Sequence, residues 1–260
     1  SKPPEPLPAT AHPFCLKDKV VNATPQNESA YISQGFDKYA EIIAPNGKPI
    51  KLFAQNQVSA EKLRRAHSLM SFFLQNVPSS QYGSDKNEVA NSMADNEAVL
   101  MMPNGGHVEG NEPNLPAQPL FDDETPMEGS QWFMQNDWDH RDAAFEEIFH
   151  LVHDTGIGTY LQGALPEYQS LLRAEAEESI TDGRWGIAID PDVTHWIEEL
   201  RQEDSLAQEY IAAVIDSYYG LWGPFDERSG GMWGIYTAKT REEIGTKDEE
   251  GKTLLEAFLP

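Results

Sequence analysis

The sequence predicts an α+β protein, with a small mixed β-sheet and helices in the N-terminal half and a mostly helical C-terminal half. Three patterns indicate this class. They are a hairpin signal over residues 39–53, a short apolar run at 98–102 typical of a buried strand, and helical spacing of apolar residues after residue 143. A chain of 260 residues is long enough for one large domain or two closely packed ones, with a substantial core.

The strands are predicted in the first half of the chain. Residues 39–43 and 49–53 flank Asn46-Gly47, a dipeptide that favours a tight hairpin turn. Ser59 is a suitable N-cap for a helix that reaches about residue 76. A shorter helix at 88–94 then precedes the strand at 98–102.

The second half begins after an irregular segment. Residues 103–136 are rich in Pro, Gly, Asn and acidic side chains, and a connection of this length is usually functional, which suits the wall of a cleft. The apolar spacing after it predicts helices at 143–154, 166–180, 190–200, 203–220, 240–245 and 250–258.

Composition limits the partners of the protein. Its formal charge is −24, from 19 Lys+Arg against 43 Asp+Glu, and such a field repels nucleic acid and anionic membranes. The sequence has no apolar run long enough to span a membrane. Cys15 is the single cysteine, so neither an intramolecular disulfide nor a cysteine-based zinc site is expected.

Residues 1–34 are predicted to form a Pro-rich N-terminal arm, followed by a single domain over residues 35–260. The chain starts with Ser rather than Met, and Asn22 and Asn27 lie in glycosylation sequons. These features favour a secreted or periplasmic protein.

The most informative segment is the helix predicted at 143–154. Glu146, His150 and His153 are spaced to share one face of it, beside Glu147 and an apolar stripe that would bury the helix. Carboxylates and imidazoles on a half-buried helix are costly without partners, and a bound metal ion would satisfy them. An ordinary acidic helix remains the alternative for this segment taken alone.

In the zinc-hydrolase pattern His-Glu-x-x-His, both histidines bind the metal and the Glu acts as a general base on water. Here the corresponding residues are Glu146-Glu147-Ile148-Phe149-His150. The first ligand position therefore holds Glu instead of His, and a carboxylate is an acceptable ligand.

These residues resemble the gluzincin-type metalloproteases, the group that includes the catalytic domain of anthrax lethal factor. The central helix of that group reads His-Glu-Phe-x-His-x-Val-Asp-Asp, and a later helix reads Glu-Phe-Phe-Ala-Glu-Ala. This chain reads Glu146-Glu-Ile-Phe-His150-Leu-Val-His153-Asp154, and later Glu209-Tyr-Ile-Ala-Ala213-Val. Only these two helices are specific.

The resemblance implies a zincin-like fold over residues 35–260, with a cleft between its two halves. It implies a metallopeptidase acting on a peptide or protein substrate, with the metal on Glu146, His150 and Glu209. Glu147 would be the catalytic residue that polarises water. The divalent metal ion implied is zinc.

Three departures from the family pattern leave alternatives open. Glu146 makes the ligand set two carboxylates and one imidazole, which also suits Mn, Fe or Ca. Ala213 removes a carboxylate that the family carries. Gln202 replaces a tyrosine that donates to the transition state, so that role is either empty or supplied by another tyrosine: Tyr210, Tyr218 or Tyr219.

Further residues are candidates for the site. His153, Asp216 and Asp154 could each join the ligands or orient one by a hydrogen bond. Alternatively, His153 interacts with the carbonyls at the helix end, and Asp216 is a solvated or locally paired carboxylate. The tryptophans could line a cleft, although core packing explains most tryptophans: Trp132, Trp138, Trp185, Trp196, Trp222 and Trp233.

Two functions follow from the sequence. The first is a metal-dependent hydrolase of the peptidase type. The second is a non-catalytic metalloprotease-like binding or structural module with a degenerate metal site. A carboxylate-bridged redox site ranks lowest because no other histidine has a Glu three residues before it.

Overall fold

The computed structural model describes residues 20–108 and 110–260. Within that part of the chain the fold is α+β, as predicted, with one five-stranded mixed sheet. The strands are β1 (Asn22–Ala23), β2 (Phe36–Ile43), β3 (Pro49–Gln55), β4 (Val99–Met102) and β5 (Gln118–Pro119). The helices are α1 (Ser29–Ile32), α2 (Ala60–Phe73), α3 (Asn87–Asp95), α4 (Gln131–Gln135), α5 (Ala144–Val152), α6 (Pro166–Thr181), α7 (Pro191–Glu203), α8 (Leu206–Tyr218), α9 (Arg241–Lys247) and α10 (Glu249–Glu256).

The strands lie in sequence order across the sheet. β1 pairs with β2 and β2 with β3 in antiparallel fashion, and the β2–β3 hairpin turns at Asn46-Gly47 as predicted. β4 joins β3 in parallel, and β5 joins β4 in parallel. Because parallel neighbours need a crossover, α2 and α3 lie between β3 and β4 in the chain.

Each face of the sheet packs against a cluster of buried apolar side chains. Side chains alternate across a strand, so Leu52 of β3 and Leu100 of β4 enter the large core shared with the helices. Phe53 and Met101, one residue further along, point to a smaller core on the other face. Tyr31 of α1 stacks on Phe53 there, with ring centroids 3.9 Å apart.

The helix that carries Glu146, Glu147 and His150 lies in the middle of the fold. α5 packs between α2 and α8 and also contacts β4 and β5. Its apolar residues are buried in the large core: Ala144, Ile148, Phe149, Leu151 and Val152. Helix α2 begins after Ser59, whose Oγ accepts a hydrogen bond from the backbone N–H of Lys62, as the N-cap prediction requires.

The α-helical pattern of α5 ends at Val152, two residues earlier than predicted. His153–Gly158 continue as a π-helical turn. This turn packs closely on α3, since a Cβ on Gly156 would lie 2.8 Å from side-chain carbons of Met93 and Val89. Only glycine fits there.

The N-terminal part of the domain starts earlier than the predicted boundary at residue 35. Residues 20–34 pack on the sheet through β1 and α1 rather than forming an arm, because they bury apolar side chains such as Tyr31. Residues 1–19, with Cys15, lie outside the described residues. Among the described residues, no helix is long and apolar enough to cross a membrane.

Lys86 is a buried cation at the start of α3. Its Nζ donates to the backbone carbonyl of Phe73 at 2.7 Å and lies 4.2 Å from the ring centroid of Phe258. Burial lowers the pKa of this ammonium to about 7. The folded protein therefore binds fewer protons at this site than the unfolded chain between pH 7 and the ordinary lysine pKa of about 10.4.

We expect the free energy of unfolding to rise with pH above about 7 because of this lysine, by about 1 kcal/mol per pH unit. Lys86→Met should flatten that rise. Urea unfolding of both proteins at pH 7, 8 and 9 measures it. Equal pH slopes for the two proteins would show that the pKa of Lys86 is not lowered in the folded protein.

Candidate metal centre

Two helices bring three of the predicted ligands together. Glu146 and His150 lie one turn apart on α5, and Glu209 lies in the first turn of α8, which packs directly on α5. One potential ligand atom from each residue lies within 4.8 Å of the others. Among the described residues this is the one group of three or more such side chains that could hold a metal ion.

The imidazole of His150 is set between acidic partners. Its Nε2 lies 3.7 Å from Oε1 of Glu209, and its Nδ1 lies 3.6 Å from Oε2 of Glu147. Nε2 is nevertheless buried without a hydrogen-bond partner in the described part of the chain. A buried ring nitrogen left unpaired beside two carboxylates is the arrangement that a bound cation would satisfy, so the residues present fit a divalent metal ion.

The pKa values of Glu209 and His150 are raised, and neighbouring carboxyl groups contribute to both shifts. Burial raises the pKa of Glu209 to about 7, with Glu146 and Glu147 adding repulsion and His150 opposing them. The pKa of His150 is raised well above its ordinary value because, although burial opposes the charge, Glu209 and Glu147 favour it. Without another cation, the group retains protons near neutral pH.

Glu147 is held by a residue that the sequence did not point to. Nε2 of Gln118, on β5, donates to Oε2 of Glu147 at 2.7 Å. Gln118 lies in the long irregular segment, and its nearness to α5 depends on the pairing of β5 with β4. No local pattern around residue 118 predicts this contact.

Arg141 is the second residue that sequence reasoning missed. Its guanidinium donates to Oε2 of Glu146 and, at 3.1 Å, to Oδ2 of Asp216 on α8. It also lies 4.8 Å from the ring centroid of Trp233. Arg141 precedes α5 in a loop, where an arginine carries no sequence signal for such a role.

This arginine sets the charge state of its partners. Burial works against ionisation of Glu146, but the attraction of Arg141 prevails and lowers the pKa of that carboxyl. For Asp216, burial dominates and raises the pKa well above its ordinary value despite Arg141. The guanidinium of Arg141 thus outweighs the effect of burial at Glu146 but not at Asp216.

The remaining predicted site residues lie nearby but outside the group of three. His153 is fully buried, with Nε2 2.5 Å from Oε1 of Gln169 on α6, and burial lowers its pKa to about 4. Three positions beyond His150, it is turned by about 60° around the helix axis, enough to face α6 instead of α8.

Asp154 and Asp216 also have other partners. Asp154 accepts hydrogen bonds from Thr159 and Gln208. Asp216 accepts from Arg141 and, at 3.4 Å, from Nε1 of Trp222. Among the described residues, Asp216 therefore has a hydrogen bond to Arg141 and none to Glu146, His150 or Glu209.

The three candidate tyrosines have their hydroxyl groups bonded elsewhere. Tyr210 donates to Oδ2 of Asp248, Tyr218 to Glu256, and Tyr219 to the carbonyl of Pro260. All three are anchors of α8 against the C-terminal segment. None of the three hydroxyl groups therefore donates a hydrogen bond to Glu146, His150 or Glu209.

No protein-family model, no curated protein and no solved structure matches this chain. The resemblance to gluzincins therefore stays a prediction, and the site has to be judged by its own geometry.

We expect Arg141→Met to lower the free energy of unfolding by about 3–5 kcal/mol, because it leaves two buried carboxyl groups without their counter-charge. The matched control is Arg173→Met, since Arg173 and Asp204 form an exposed pair whose loss should cost at most about 1 kcal/mol. Chemical denaturation of the three proteins compares them. If both variants unfold at the same denaturant concentration, Arg141 does not stabilise the carboxyl cluster.

Proposed function

We propose that this protein is a metal-dependent hydrolase, a secreted or periplasmic peptidase-like enzyme that uses metal-activated water. The observation that carries the proposal is the convergence of Glu146, His150 and Glu209, together with the buried, unpaired Nε2 of His150. Peptide or protein substrates and the compartment follow from the sequence patterns alone.

The ligand set suits several divalent ions. Two carboxylates and one imidazole can hold zinc, and the oxygen-rich set also accepts Mn, Fe or Ca. When bound, such an ion supplies Lewis acidity, which lowers the pKa of a coordinated water and polarises a carbonyl group.

Glu147 is the residue to which we assign proton transfer. Its side chain is partly exposed, so solvent and substrate can reach it, whereas Glu146 is buried. Gln118 holds Oε2 by a hydrogen bond, which fixes the carboxylate plane and leaves Oε1 to take a proton from water. Glu147 would then deliver the proton to the leaving group.

Arg141 orients the first ligand. By bonding Oε2 of Glu146, it keeps this carboxylate ionised beside Glu209. A histidine at position 146 would need no such partner. Glu146 at the first ligand position therefore depends on the buried Arg141 beside it.

The same ion pair favours a second candidate function, a non-catalytic binding or structural module. A guanidinium already neutralises Glu146, so the remaining ligands, His150 and Glu209, could hold a metal weakly or not at all. Metal affinity separates the two functions.

We expect the purified full chain, stripped with chelator and titrated calorimetrically with Zn²⁺ or Mn²⁺, to bind about one equivalent at the three ligands. Glu209→Gln should weaken binding by about 100-fold or more, because even partners that only orient a ligand are worth roughly 10–100-fold. The exposed Glu167→Gln on α6 is the control and should bind as the wild type. Equal affinity in all three proteins would place the metal elsewhere.

We expect Glu147→Gln to retain the metal and to lose peptide cleavage by about 100-fold or more, the range of general-base catalysis. A broad peptide library with mass-spectrometric readout measures cleavage, and metal content is measured on the same samples. A wild type that takes up no metal and cleaves no peptide supports the module instead.

A further inference from the structure

A pocket of about 190 Å³ opens directly beside the metal group. Trp185, Trp196 and Trp233 line it, and Glu146 and Glu209 lie along one side. The three tryptophans come from separate parts of the chain, namely the segment after α6, helix α7 and the segment before α9. They meet only in the folded protein, where Glu146 and Glu209, two of the three candidate metal ligands, also line the pocket.

The wall formed by Trp233 is built on a strained turn. Met232 and Trp233 have φ values of 49° and 56°, a left-handed conformation that is unfavourable for large side chains. Backbone hydrogen bonds between Gly231 and Tyr236, of 2.9 and 3.1 Å, close the turn and hold it. Met232 and Trp233 both line the pocket, so the strain is located at the cavity wall.

We propose that this pocket is a substrate subsite for a neutral aromatic side chain, adjacent to the bond that is cleaved. The position next to a scissile bond rests on the proposed hydrolase function, whereas ring binding does not. A buried apolar cavity of about 150 Å³ accommodates a benzene molecule, so 190 Å³ has room for a phenyl or phenol ring.

The shape of the walls suits a flat ring. Trp185 and Trp196 meet nearly at right angles, with an interplanar angle of 71° and ring centroids 6.0 Å apart. Trp185 is buried and packs edge-to-face on Trp196, so a bound ring stacks on the partly exposed indole of Trp196 or Trp233. An aliphatic side chain would gain only apolar contact from the same walls.

The charges around the pocket disfavour an anionic side chain, because Glu146 and Glu209 repel a carboxylate. Arg141 already lies over the face of Trp233, at 4.8 Å from its centroid, where a cationic ligand would bind. The positive edge of a neutral ring can instead face the carboxylates.

The test is a titration of the isotopically labelled full chain with N-acetyl-phenylalaninamide, observed through the indole N–H signals in NMR spectra. We expect the signals of Trp185, Trp196 and Trp233 to shift, while that of Trp132 stays in place. N-acetyl-lysinamide and N-acetyl-leucinamide should shift them at concentrations about fivefold higher or more. Equal affinity for the three amides, or shifts spread over all six tryptophans, would overturn the aromatic subsite.

Two variants change the pocket in opposite directions. Trp196→Ala removes a wall, and Ile235→Phe fills the cavity that Ile235 lines. Each should weaken phenylalaninamide binding by about fivefold or more, whereas the control Trp132→Ala should not. Retained dispersion of the other indole signals shows that each variant is folded. Unchanged binding in both pocket variants contradicts the proposal.

Metal titration of the same samples separates this inference from the proposed function. If phenylalaninamide binds at the three tryptophans and no metal is taken up, the ring site is upheld and the hydrolase is overturned. If metal binds at Glu146, His150 and Glu209 without any ring binding, the subsite alone is overturned.

Discussion

The structure around the site depends on how one guanidinium is shared between two buried carboxyl groups. Arg141 bonds Glu146 on α5 and Asp216 on α8, and so links the two central helices across their interface. Placing these charges in the interior costs desolvation energy, which a hydrogen-bonded partner offsets and an apolar neighbour would not. The bridge therefore determines which way Glu146 points and keeps it ionised beside His150.

A second buried network holds the other end of α8 in place. Asp248 accepts hydrogen bonds from Tyr210 and Tyr236 and forms an ion pair with Arg184. Tyr210 is the residue after Glu209, so this anchor fixes the rotation of α8 at the position where Glu209 faces α5. Two buried polar clusters, one around Arg141 and one around Asp248, thus fix the position of α8 and with it that of Glu209.

The hydrolase and the non-catalytic module differ in what supplies the positive charge that balances the carboxyl groups of the site. Four carboxyl groups surround one guanidinium and one imidazole: Glu146, Glu147, Glu209 and Asp216. Protons make up the difference in the absence of another cation, as the raised pKa of Glu209 shows. A divalent ion would displace those protons and use the same oxygens, which is why an arrangement with Arg141 present still fits a metal centre.

Local sequence patterns by themselves determined the hairpin at Asn46-Gly47, the capped helix after Ser59, the strand at β4 and the helical spacing of Glu146 and His150, because these depend on neighbours a few residues apart. The meeting of Glu209 with His150 was predicted only from the resemblance. Tertiary structure alone decided that His153 faces Gln169, that Gln118 holds Glu147, and that Arg141 joins Glu146 to Asp216. Each of these contacts joins elements whose distance is set by the packing of α5 on its neighbours. The apolar periodicity of the sequence does not determine that packing. Rotating a helix about its axis by one position would give every side chain a different partner.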